Sequence, residues 1–375
     1  MGPLPLGRAY YCCGRCGHGL APWDDAVGLT SKRLTPAAER LTALAGLLSD
    51  SFEEAAEKVL PELSGLRLSE GTAARATEAA GGRLKQVLGT GRTLGSPRPW
   101  DWHPDAAGRR CAYVSIDAIS VAQQAKGGGK AEGRMPYVAM VFNPLPDLPD
   151  TERSRLVPPA AARPSGVAAR QQARYLAGLY SLEQLGPPLR KQAAQVGMER
   201  ADRWIALTDG GNGLEDFVRA NFGRPDLVVI LDFWHAAEYL ADLAKALHPG
   251  DEDQSTALLG QWCHTMKHEG GAAVLAVLRG LDLPKRRPAV AQAHADAVRY
   301  IGNNVHRMDY PRYVAAGWQI GSGSVESACK TVVGQRLNLA GMRWGEAGTD
   351  EVCQLRALFK SEPGQWEAFW RRSIN

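Results

Sequence analysis

The chain has 375 residues, 45% of them hydrophobic and 22% charged, with a formal net charge of +4. That length allows two or three domains, and the composition excludes a disordered chain. There is no run of about 18 apolar residues to cross a membrane and no signal-peptide core, so a cytoplasmic location is expected. A charge of +4 permits a nucleic-acid partner without demanding one.

Residues 1–30 suit turns and a small strand pair. They carry Cys12, Cys13 and Cys16, three of the seven cysteines. The other four, Cys111, Cys263, Cys329 and Cys353, are scattered. An odd and uneven set is no disulfide framework, so these four are expected to be reduced core residues.

Thr35-Pro36 signals a helix start, followed by Leu41, Leu44 and Leu48 at helical spacing. Ser51-Phe52-Glu53-Glu54 has the capping-box pattern and opens a second helix, which Pro61 and Gly65 end. Ser69 caps a third. Two short helices joined by a tight Gly-containing turn read as a helix-turn-helix or as a plain helical bundle. Residues 89–110, rich in Gly and Pro, read as a linker.

The pattern then changes. Residues 111–124 and 135–146 read as strands, with a hairpin loop over Gly127–Gly133. The loop is no phosphate cradle, because Lys130 is followed by Ala and then by a strand. Residues 147–166 are a polar, Pro-rich loop. "ARYLAGLYS" is a third strand and 182–198 a helix. A strand over 203–211 ends in Asp209-Gly210-Gly211, and "NGLEDFVRANFG" is a helix. The continuous apolar run of 226–235 fits a buried strand. From Ala236 to about Met308 the pattern is helical. The sum is a mixed α/β core with an all-helical insertion.

Asp117 and Asp209 are acids in apolar strand company, and Glu326 stands on the first turn of a helix after Gly321-Ser322-Gly323-Ser324. Each alone suits a strand-end turn or a helix cap. Together they suit an all-oxygen site for Mg²⁺ or Mn²⁺. Two such ions about 4 Å apart stabilise both oxygens of a phosphoryl displacement. His264 and His268 share a helix face, but Glu follows the second His, so the H-E-x-x-H protease pattern is excluded. Lys285, Arg286 and Arg287 form a charge run that is either solvated or a phosphate contact. Lys330, Arg336 and Arg343 recur near the Glu326 helix as candidate DNA contacts. Trp318 and Trp344 suit core packing, with base stacking as the alternative.

The segments "YVSIDA", "ALTDGGNGLEDF", "LDFWHAAEYL" and "GSGSVESACKTVVGQRLNLAGMRW" resemble the ISKra-type insertion-sequence transposases, DDE enzymes with a ribonuclease-H-like core. The N-terminal "YYCCGRCGHGLAPWDDAVGL" and "SFEEAAEKVL" are similar too. The resemblance implies that Asp117, Asp209 and Glu326 are the catalytic, metal-binding acids, with Asp232 and His235 as a supporting pair. It implies metal-dependent phosphodiester hydrolysis and strand transfer on double-stranded DNA, at terminal inverted repeats and target, by a homo-oligomer. Cys13 and Cys16 are half of a zinc ribbon, with His18 the nearest extra candidate, and family members usually carry more sequence upstream. The expected organisation is a Cys segment (1–30), a helical DNA-binding domain and linker (31–105), the first part of the core (106–240), the helical insertion (241–310) and the second part of the core (311–375). A DNA-binding remnant without catalysis and a nuclease on the same core are the rival readings.

Overall fold

The computed structural model describes residues 7–29, 34–144, 172–211, 213–283 and 287–372. The polar loop expected over 147–166 lies outside them, as do Lys285 and Arg286.

Two short hairpins flank a larger sheet. β1 (Tyr11–Cys12) pairs with β2 (Gly19–Leu20) in the Cys segment. The main sheet contains β3 (Cys111–Ala118), β6 (Tyr137–Asn143), β7 (Gln172–Gly178), β8 (Arg203–Thr208) and β9 (Val228–Leu231). Their order is β7-β6-β3-β8-β9. β6 runs antiparallel to both β3 and β7, whereas β8 runs parallel to β3 and β9 parallel to β8. Central position explains the unbroken burial of β3 from Cys111 to Ile116, and the polar side chain within the run, Ser115, is satisfied by donating to Leu207 O at 2.6 Å.

The expected strand 111–124 is two strands. β3 stops at Ala118, and β4 (Val121–Gln124) turns away to pair with β5 (Lys130–Arg134). The hairpin loop is therefore shorter than Gly127–Gly133. Ala125 closes it, accepting from Gly128 N at 3.0 Å and donating to Gly129 O at 2.8 Å.

In the N-terminal region, Thr35 caps the helix Pro36–Leu48 and Ser69 caps Glu70–Gly89, both through side-chain oxygens. Between them the chain does not break at Pro61. A π turn over Ala55–Val59 leads into Leu60–Ser64, and Gly65, at φ 70°, ends the run. Proline at the second residue of that turn supplies no N–H, and the widened turn before it leaves room for the ring.

These helices are built onto the rest of the molecule. Ala43, Leu47, Ala80 and Leu84 share one apolar core with the sheet. Gly81 lies so near the helix Glu346–Lys360 that an added Cβ would meet Glu351 O at 2.0 Å. The stripe Ala73, Ala76, Ala80 and Gly81 is buried, and its small side chains permit that approach.

Between β9 and the Glu326 segment run five α-helices among the described residues, Phe233–Leu247, Glu252–Glu269, Gly271–Arg279, Pro288–Asn304 and the short Tyr310–Ala315, as the helical pattern after Ala236 leads one to expect. No helix among the described residues is long and apolar enough to cross a membrane.

Candidate active site

Strand register brings the acids together. β3 and β8 pair as Cys111 with Arg203 through Ser115 with Leu207. Carried two residues further, the same register sets Asp117 level with Asp209. β8 and β9 end on the pair Thr208–Leu231, and Asp232 N donates to Thr208 O at 2.8 Å, so the next level holds Asp209 and Asp232. Three carboxylate residues thus stand at or just past the C-terminal ends of three neighbouring parallel strands, whose backbones lie about 4.8 Å apart.

Asp232 is 3% exposed and fully engaged. As N-cap of Phe233–Leu247 it accepts from Trp234 N at 3.1 Å and His235 N at 3.2 Å. It also accepts from Ser322 N at 2.9 Å and Ser322 Oγ at 2.7 Å. A buried carboxylate needs such donors, and this set joins the end of β9 to the Gly-Ser segment. The helix Gly323–Ala328 starts there. Glu326, on its first turn, has Oε1 2.6 Å from the same Ser322 hydroxyl. A single hydroxyl therefore lies between Asp232 and Glu326, and the Gly-rich approach lets the backbone come close enough for it to do so.

Asp117 is held by its neighbour Ala118, whose N–H reaches Oδ1 at 2.7 Å, and by Cys329 Sγ, 3.6 Å from Oδ2. Burial pushes its carboxyl above the usual carboxylate range, and the negative charges of Asp209 and Glu326 push it the same way. Asp117 thus feels both of the other acids. Burial likewise pushes the Cys329 thiol up, reinforced by the charge of Asp117, so it stays a neutral donor. Asp209 Oδ1 accepts from Gly211 N at 2.8 Å.

The end of the helical insertion fixes the Asp209 turn. Arg307, 3% exposed, donates to Thr208 Oγ1 at 2.7 Å and to Asp209 O at 2.9 Å. Gly210 N donates to the Tyr300 hydroxyl at 2.9 Å, and Tyr300 stacks on Tyr239 with ring centres 4.0 Å apart. His235 is edge-on to both rings and pairs with Glu238 at 3.2 Å. It braces the wall beside Asp209. Sequence reading missed Ser322 as a functional group, although it lies inside the quoted Gly-Ser segment. It had no signal for Tyr300, Arg307 or Cys329, whose partners are about 90 residues or more away in the chain.

Among the described residues no three His, Cys, Asp or Glu side chains are placed as they stand to hold a metal ion. The donor chemistry of Asp117, Asp209 and Glu326 nevertheless fits a hard divalent cation. All the donors are carboxylate oxygens, and the mutual repulsion felt at Asp117 is what such an ion removes.

The remaining candidates fall elsewhere. Cys13 and Cys16 form an exposed turn between β1 and β2, with Cys12 also exposed. Backbone N–H groups of Arg15 and Cys16 hold the Cys13 thiol below its ordinary value. Lys330 and Arg343 are exposed, and so is Arg287, whose Nη1 donates to Leu247 O at 3.3 Å. Arg336 is 1% exposed. Its guanidinium donates to Gly46 O at 2.9 Å and Asp50 O at 3.3 Å, and lies within 5 Å of the Phe52 and Trp344 rings. It locks the Pro36–Leu48 helix to the chain after Glu326 and is not presented to a DNA surface. Trp318 and Trp344 are buried, as core packing requires.

Compared with known proteins, the chain matches no protein-family model and no curated protein.

Proposed function

We propose that this chain is a DDE-type DNA transposase, with Asp117, Asp209 and Glu326 as its catalytic acids. The observation that carries the reading is the strand register, which sets Asp117 level with Asp209, while Ser322 ties Glu326 to Asp232 at the end of the next strand. The five-stranded mixed sheet with carboxylates at one end supports a ribonuclease-H-like core. The run of helices between β9 and Glu326 supports the same reading.

In this reading Asp117, Asp209 and Glu326 hold Mg²⁺ or Mn²⁺. When bound, such ions lower the pKa of an attacking water and neutralise charge on the phosphoryl oxygens. The protein's contribution is rigidity. β3 carries Asp117 on backbone paired in the sheet, and Asp209 directly follows the end of β8. Arg307 and Tyr300 hold the Asp209 turn, and Asp232, through Ser322, fixes the start of the third carboxylate's helix. The DNA phosphates then meet a site whose acids need little reorganisation. Lys330, Arg343 and Arg287 are the exposed cations that serve as phosphate contacts.

The test is strand cleavage and strand transfer on an inverted-repeat duplex with Mg²⁺ or Mn²⁺. Asp117→Asn, Asp209→Asn and Glu326→Gln should each abolish both products while leaving the protein folded. Full activity in any one of them removes that residue from the site. Nicking without joined products would make the protein a nuclease rather than a transposase.

A further inference from the structure

We infer that the groove beside the Glu326 helix is a stacking site for one unpaired nucleobase of the DNA strand that enters the active site, with Trp234 as its platform. The inference rests on the transposase reading and adds a ligand subsite to it.

Of the ten tryptophans, Trp234 is the most exposed, at 62%. An indole so exposed lacks the burial that normally stabilises tryptophan, and it stands at the candidate site rather than at a remote surface. It directly follows the Asp232–Phe233 pair, and its backbone N–H is one of the donors to Asp232. The Phe233 ring packs edge-to-face against it, with centroids 5.3 Å apart, and restrains the indole from behind.

Gly321 restrains the other edge. A Cβ there would meet Trp234 Cδ1 at 2.8 Å and Nε1 at 2.9 Å. The chain has no side chain at the place where the indole rests, one residue before the serine that docks Glu326. The indole face and the third carboxylate are therefore positioned by two consecutive residues, Gly321 and Ser322.

The groove in front of the indole measures about 550 Å³, within the usual range for ligand pockets. Val314, Trp318 and Ile320 line it with apolar surface, and Ser324 leads on to the Glu326 helix. Lys267, exposed, brings an ammonium group to the same groove. A flat aromatic face, an apolar wall and one cation suit a base with its phosphate. A paired base inside a duplex does not offer its face to such a slot, so the ligand must be unpaired.

The test uses the full chain and two probes, a DNA duplex with a single-stranded 3′ overhang carrying 2-aminopurine and a blunt duplex of the same sequence. Wild type should quench the 2-aminopurine. Trp234→Ala should abolish the quenching and weaken overhang binding roughly 10- to 100-fold. Trp234→Phe, which keeps an aromatic face, should recover most of both. Blunt-duplex affinity should change less than about twofold in either variant. Unchanged overhang affinity and quenching in a folded Trp234→Ala protein that still cleaves DNA would overturn the stacking site and leave the transposase reading standing. An equal loss on both probes would also overturn it, because a general DNA contact would then explain the effect. Failure of wild type to bind either probe would overturn both readings together.

Discussion

Ser322 Oγ donates to Asp232 Oδ2 at 2.7 Å, across 90 residues of chain. The same oxygen lies 2.6 Å from Glu326 Oε1, so this hydroxyl positions a carboxylate that the proposed chemistry needs. Ser322→Ala should lower kcat for strand cleavage with little change in KM, because the lost contact aims a reacting group rather than binding DNA. It should also destabilise the fold by about 1–3 kcal/mol, since buried Asp232 loses a donor. Ser322→Thr, which keeps the hydroxyl, should recover most of the rate. If Ser322→Ala turns over like wild type, the hydroxyl is only a cap.

The raised carboxyl of Asp117 has a consequence for stability. An acid whose folded-state pKa lies above its unfolded value stabilises the fold only while protonated. That contribution is complete below the ordinary carboxylate range and is lost as the pH rises through the raised value. At neutral pH the ionised group is therefore a liability, caused first by burial and then by Asp209 and Glu326. Without divalent ions, Asp117→Asn should melt higher than wild type at pH 7, and the gap should close in acid. Adding Mg²⁺ should raise the wild-type melting temperature and narrow the gap at pH 7. Melting curves at pH 4 and pH 7, with and without the ion, check both parts.

Two adjacent glycines in the helix Glu70–Gly89 should respond in opposite ways. A Cβ on Gly81 would meet the backbone of Glu351 at 2.0 Å, which only a shift of one helix can relieve. A Cβ on Gly82 would meet only the flexible end of the Glu351 side chain, at 3.0 Å. Gly81→Ala should destabilise by about 1–3 kcal/mol. Gly82→Ala should be neutral or stabilising by up to about 1 kcal/mol, the helix-propensity gain. Urea denaturation of the two variants separates a close helix contact from a general intolerance of change.

Arg336 and Arg343 should separate stability from DNA binding. Burial pushes the Arg336 guanidinium down to about 10, which still leaves it charged at neutral pH, in hydrogen bonds to carbonyls and between two rings. Arg336→Ala should cost about 3 kcal/mol, with duplex affinity of the folded protein unchanged. Arg343→Ala, at an exposed site, should change stability by less than about 0.5 kcal/mol. It should weaken duplex binding and reduce the salt slope by about 1. Salt-dependent binding titrations, together with denaturation curves, decide the assignment of each arginine.

Cysteine reactivity should follow environment. The Cys13 thiol is lowered by backbone N–H groups, whereas burial raises Cys111 to about 12 and pushes Cys329 and Cys353 up as well. Iodoacetamide at pH 7 should label Cys13 first and leave those three unmodified in the folded protein. Peptide mass mapping over a time course reads the order, and early labelling of Cys329 would show that the site opens more than its packing implies.

Much of the architecture was legible because it is written locally. Capping residues, helical spacing and unbroken apolar runs act over a few neighbours, so Thr35, Ser51 and Ser69 were placed from sequence, and so was a buried strand within 226–235, although it spans only Val228–Leu231 before the Asp232 cap starts a helix. Two local readings failed. A single strand over 111–124 failed because β-periodicity does not mark where a chain leaves one sheet for another. Pro61 as a helix end failed because a π turn absorbed the missing donor.

By itself the sequence determined which side chains carry charge and which segments must be buried, and so singled out Asp117, Asp209 and Glu326, while Asp232 entered only through the family resemblance. Tertiary structure alone decided that three of these share one level at the ends of β3, β8 and β9. It also decided that Ser322 bridges the fourth to its neighbour, that Arg336 is spent inside the fold, and that Trp234 rather than Trp318 or Trp344 faces outward. The reason is physical. Local spacing sets which face of a strand or helix a residue takes. Partners some 90 residues or more apart are chosen only when register and close packing bring the strands and helices together.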